Sequence, residues 1–105
     1  MNQVVVKRKF GSLRFIGSLM KVFAWISIAL GSAYFRSGAT ADAEREYRDA
    51  LKVDARLGEA HSNLAVVLLV TSRFAEADAE IAAAEKSGFA VNPQLKADIK
   101  KGLAR

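Results

Sequence analysis

His61 is the one histidine in a chain of 105 residues that has no cysteine. A single imidazole rules out a paired-histidine metal site. The lack of thiols rules out a disulfide framework, a thiolate zinc site and a cysteine nucleophile. Carboxylates and cations are what remain for chemistry. Asp42, Glu44, Glu46, Asp49 and Asp54 alternate with Arg45, Arg48 and Lys52, the pattern of a solvated helix face. Asp78, Glu80 and Glu85 follow the same rule. No nucleophile or carboxylate recurs beside His61 at helical spacing, so a packing role on the buried side of its helix is expected. The seven glycines never take a phosphate-cradling spacing. The residues therefore point away from an enzyme: no catalytic group, no metal ligands and no cofactor are expected.

Charge is distributed unevenly. Lys7, Arg8, Lys9, Arg14 and Lys21 give residues 1–23 five cations and no acid, which accounts for the whole net charge of +5. Residues 24–105 hold 11 basic and 11 acidic side chains and are neutral. No helix of this neutral body has a face of one sign, and aromatic and basic residues form no reading surface at the N-terminus. Nucleic acid is not the expected partner.

The elements that position these residues are helical. Proline occurs once and apolar residues make up 51% of the chain, a globular composition for one small domain. Ala24–Arg36 reads as a helix that Ser37-Gly38 ends. Thr40 is placed to cap the next, Ala41–Val53, with Asp42 and Glu44 in its first turn and Ala43, Tyr47, Ala50 and Leu51 on its apolar side. Gly58–Thr71 follows, with Leu64, Val67, Leu68 and Thr71 along a stripe, and then Phe74–Lys86, closed by Gly88. Asn92-Pro93 is a strong start signal for a last helix reaching about Ala104, with Leu95, Ile99 and Leu103 at steps of four. The expected fold is all-α.

Repetition sharpens this. Leu30-Gly31-x-x-Tyr34, then Ala43-x-x-x-Tyr47-x-x-Ala50, returns 34 residues later as Leu64-Ala65-x-x-Leu68, then Ala77-x-x-x-Ile81-x-x-Ala84. A 34-residue period with small and large residues in this order resembles the tetratricopeptide repeat. Asn63-Leu64-Ala65 and Arg73-Phe74-Ala75-Glu76-Ala77 are close to that family's wording. The resemblance covers about residues 24–90, as repeats over about 24–57 and 58–91, with a capping helix over about 93–104. Ala55 and Phe89 stand where the family's closing prolines would be, Ser27 where its tryptophan would be, and Ala65 and Leu68 where its glycine and tyrosine would be in the second repeat. The resemblance implies an α-solenoid of helical hairpins, about five helices plus an N-terminal one.

It also implies a function. In that family the first helix of each hairpin lines a concave groove that holds an extended peptide or a partner helix. Here that groove would take Trp25, Ile28, Ala29, Ser32, Phe35 and Arg36 from the first repeat. The second would supply Glu59, Ser62, Asn63, Val66, Leu69 and Val70. Asn63 matches one residue of the carboxylate clamp by which some members hold chaperone tails, but the cationic positions are Ile28, Ser32 and apolar residues. The expectation is a protein-interaction adaptor or scaffold with an apolar groove and a protein or peptide partner, cytoplasmic, with a homo-oligomer as another way of filling the groove.

Residues 1–23 form a separate basic, apolar segment with two expected fates. Leu13, Ile16, Met20 and Phe23 follow helical spacing, so Phe10–Lys21 could fold as an extra helix docked on the first repeat beside Trp25 and Ile28. Thirty-four residues before Tyr47 and Ala50 stand Leu13 and Ile16, as in a degenerate half-repeat. Lys9 occupies the position of the alanine. The alternative is a membrane-associated protein of the same repeat type, anchored by residues 1–35 with its cations at an anionic surface and acting in assembly at the membrane. Val22–Phe35 is 14 residues, short of the roughly 20 that span a bilayer. Cleavage after Gly31-Ser32-Ala33, as in a signal sequence, would remove the first Leu-Gly-x-x-Tyr. Docking is the preferred expectation.

Overall fold

A computed structural model describes the backbone of residues 2–105 and the side chains of residues 17–105. The described chain is all-helical: α1 (Asn2–Arg36), α2 (Thr40–Val53), α3 (Gly58–Val70), α4 (Phe74–Lys86) and α5 (Pro93–Leu103). Helices α1 and α2 pack as a hairpin, α3 and α4 as a second, and α5 lies against α4 and α3.

The two hairpins turn in the same way because their sequences stop the helix at equivalent places. At the end of α1, Gly38 takes a left-handed φ of 86°. The Ala39 amide then donates to the Tyr34 carbonyl at 2.9 Å, and the Gly38 amide to Phe35 at 3.1 Å. Thirty-four residues on, Ser72 has φ 60°, Arg73 donates to Leu68 at 2.8 Å and Ser72 to Leu69 at 3.0 Å. These paired bonds satisfy the last carbonyls of the helix and reverse the chain. Serine holds in the second turn a conformation that glycine holds without steric cost in the first.

Burial follows the same register. Ala24 and Gly58, Ile28 and Ser62, Gly31 and Ala65, Ala43 and Ala77, Tyr47 and Ile81, and Ala50 and Ala84 are all buried, and each pair is 34 residues apart. Small residues sit where helices cross. A methyl group on Gly31 would lie 2.8 Å from Tyr47 Cε1, so the Leu-Gly-x-x-Tyr spacing is a close approach of α1 to the Tyr47 ring of α2. Ser32 Oγ shares a hydrogen bond with the Tyr47 hydroxyl at 2.9 Å beside it. At the far end the Gln94 amide donates to Asn92 Oδ1 at 2.8 Å, with Pro93 in the first turn. Leu95 and Ile99 of α5 then complete the core.

Four expectations change. There is no break before Ala24: α1 runs unbroken from Asn2 to Arg36, so residues 10–21 continue the helix that carries Trp25 and Ile28 and do not fold back onto them. The stretch lacks proline, and its glycines do not by themselves end a helix; the change at Ala24 is one of charge, not of backbone preference. The side chains of Phe10, Leu13, Arg14, Phe15 and Ile16 lie outside the described residues. Thr40 is the first residue of α2 rather than its cap; the cap position is Ala39, without a side-chain bond. Leu103 is 47% exposed because α5 meets its neighbours through Leu95 and Ile99. Thr71 falls past the end of α3, where its hydroxyl donates back to the Val67 carbonyl at 2.9 Å.

One asymmetry breaks the register. Ala60, Leu64 and Val67 of α3 are essentially inaccessible, at 0%, 0% and 1% exposure, whereas Ile26 and Leu30, their equivalents on α1, are 54% and 41% exposed. Helix α2 stands in front of α3. No described element stands in front of α1.

Candidate functional site

Helices α1, α3 and α5 lie side by side, α1 touching α3 and α3 touching α5. Side chains at matching positions of α1 and α3 therefore form rows on one surface. Trp25 is exposed and its equivalent Glu59 half-buried; Ala29 is exposed and Asn63 half-buried; Ser32 and Val66 are both half-buried; Arg36 and Val70 are both exposed. Phe35 and Leu69, another matching pair, are half-buried and rest against the core. The candidate groove is apolar with a polar fringe of Glu59, Asn63 and Arg36.

Two expected groove residues are not on that surface. Ile28 is 3% exposed and Ser62 is 9% exposed, because both stand on the side of their helix that meets the second helix of the hairpin. Without them the surface shared by α1 and α3 is narrower, with Trp25 and Val70 as its most exposed large apolar side chains.

His61 is held more specifically than packing alone requires. Its Nε2 is 2.8 Å from the Ala55 carbonyl oxygen and its Nδ1 2.5 Å from Glu80 Oε2. The carboxylate comes from α4, 19 residues away, which is why helical spacing within α3 did not show it. A cleft of about 490 Å³ beside the ring is lined by Ala55, Arg56, Ala83, Lys86 and Ser87. Both ring nitrogens are engaged, so neither is aimed into the cleft. The contact ties α3 to α4 and to the link that precedes α3.

On the outer side, Glu44 is more than a solvated carboxylate. Arg73 Nη1 donates to its Oε1 at 2.7 Å and Arg48 Nε to its Oε2 at 2.9 Å. Arg73 also makes a forked pair with Glu76 at 3.1 and 2.9 Å. Burial pushes the Glu44 carboxyl up, but the hydrogen bonds from Arg73 and Arg48, with their positive charges, outweigh it and hold it below its ordinary value. The Arg73 hydrogen bond likewise holds Glu76 down, and Glu76 and Glu44 hold the Arg73 guanidinium up. This four-residue cluster fastens α2 to the start of α4, one hairpin to the other.

Within α1, Gly17–Arg36 is 20 residues, long and apolar enough by length and composition to cross a bilayer. Ala24, Ile28 and Gly31 within that window are buried in the hairpin, so inserting it would part α1 from α2. No protein-family model, curated protein or solved structure matches this chain.

Proposed function

We propose that the chain is a non-enzymatic protein-interaction module whose two hairpins are tetratricopeptide-type repeats, and that it binds a peptide or a partner helix along the surface shared by α1 and α3. The observation that supports this most is the row of matching exposed and half-buried positions, Trp25 with Glu59, Ala29 with Asn63, Ser32 with Val66 and Arg36 with Val70, on two adjacent helices. Apolar side chains left partly open beside polar ones are what an interaction surface offers. The six buried pairs and the two turns in the same 34-residue register favour the repeat reading over a generic helical bundle.

The test uses substitutions at side chains that fold stability does not need. Trp25 and Val70 are 50% and 57% exposed, so Trp25→Glu and Val70→Glu should fold normally, as circular dichroism will check. Helical and extended peptides selected against the wild-type protein from a displayed library should lose at least tenfold in affinity for either variant. They should bind Arg45→Glu, on the outer face of α2, as they bind wild type. Equal binding to all four proteins would rule out the groove and move the site to the outer faces.

A further inference from the structure

The side of α1 that faces away from α2 carries a second apolar surface, distinct from the groove. With 100° per residue, Leu19, Val22, Ile26, Leu30 and Ala33 fall on one stripe, opposite Ala24, Ile28 and Gly31, which meet α2. Leu19, Val22, Ile26 and Leu30 are 41%, 54%, 54% and 41% exposed, Ala33 is exposed too, and no charged residue lies among them. The same chain shows what such a face takes. Thirty-four residues on, Ala60, Leu64 and Val67 occupy the positions of Ile26, Leu30 and Ala33 and are buried by a neighbouring helix.

We propose that this stripe is the contact between two copies of the chain, with their α1 helices packed antiparallel about a two-fold axis at Ile26. Three observations select that occupant. The other end of the helical stack is covered by α5, through Leu95 and Ile99, so the uncovered helix a second copy can present is its own α1. Antiparallel pairing about Ile26 sets Val22 against Leu30, two branched aliphatic side chains, and Leu19 against Ala33, large against small, so the stripe fits itself. It also sends the five cations of residues 1–23 to opposite ends, whereas parallel pairing would bring ten together. A bilayer fits less well. Gly17–Arg36 is long enough to cross, but Ala24, Ile28 and Gly31 within it are packed in the hairpin. The stretch ahead of the hairpin, Phe10–Phe23, is 14 residues, about 21 Å of helix against a hydrocarbon core of about 30 Å. It also contains Arg14 and Lys21.

The dimer is tested on the full-length protein by sedimentation equilibrium across a hundredfold concentration range. The wild type should approach twice the 11.4 kDa chain mass and dissociate on dilution. Ile26→Glu and Leu30→Glu should stay monomeric with unchanged circular dichroism, and Val70→Glu, outside the stripe, should dimerise as wild type does. The chain has no cysteine, so single introduced thiols report the geometry cleanly. Under mild oxidation Ile26→Cys should cross-link to itself. Leu19→Cys should not, but should cross-link to Ala33→Cys when the two are mixed. A monomeric wild type, an Ile26→Glu variant that still dimerises, or self-linking of Leu19→Cys as fast as Ile26→Cys would each overturn the proposal. So would flotation of a monomeric protein with vesicles of mixed neutral and anionic lipid, an outcome that would make the bilayer the occupant of the stripe.

Discussion

Arg73 shows how one side chain can join parts of the chain that are distant in sequence. It stands at the turn between α3 and α4, and it bonds Glu44, 29 residues earlier, as well as Glu76. Both carboxyls ionise more readily in the folded protein than in the unfolded chain. Their contribution is therefore complete above the unfolded carboxylate value and is lost as pH falls through the lower folded values. Arg73→Met should lower the melting temperature at neutral pH, modestly because solvent screens the cluster. Melting curves of both proteins from pH 7 to pH 3 should converge at the acid end. A gap that stays constant down to pH 3 would mean that Arg73 acts through packing of its aliphatic stem and not through charge.

At the scale of elements, glycine and alanine decide how closely the helices approach. A methyl at Gly31 would strike the Tyr47 ring, whereas one at Gly17 meets nothing within 4 Å. Gly31→Ala should therefore cost about 1–3 kcal/mol by overpacking, while Gly17→Ala should stabilise α1 by about 0.5–1 kcal/mol through helix propensity alone. Equal effects in chemical denaturation would contradict the tight crossing. Ala77→Leu, at a side chain with no exposure, should cost about as much as Gly31→Ala. The first hairpin turn and the start of the last helix were legible in the sequence because Ser37-Gly38 and Asn92-Pro93 are local signals. The doubled spacing of Ala43 and Ala77 then placed the crossings. The continuity of α1 was not legible, since the run of cations before Ala24 marks a change of charge and not a helix break. Ile28 and Ser62 were placed in the groove because a resemblance assigns helix faces only to within about one position. The links from His61 to Glu80 and from Glu44 to Arg73 depend on how hairpins stack, which no spacing within a single helix can show.

For the whole molecule, the two ends of the stack are unlike. α1 leaves Ile26 and Leu30 open, whereas α5 closes the opposite end with Leu95 and Ile99. Ending the chain at residue 91 would strip both side chains from the core. It should cost about 3 kcal/mol or more, at roughly 1.5–3 kcal/mol for each buried aliphatic side chain, and thermal unfolding of the shortened protein will measure it. The asymmetry also governs how far such molecules can associate. A body with one adhesive end can pair and then has nothing left to offer, so its association is self-terminating. A body adhesive at both unlike ends would add copies head to tail without limit. On the proposed pairing through α1, the eleven residues of α5 would act as a chain stopper, and the shortened protein, where it still folds, is the form in which filaments should be sought.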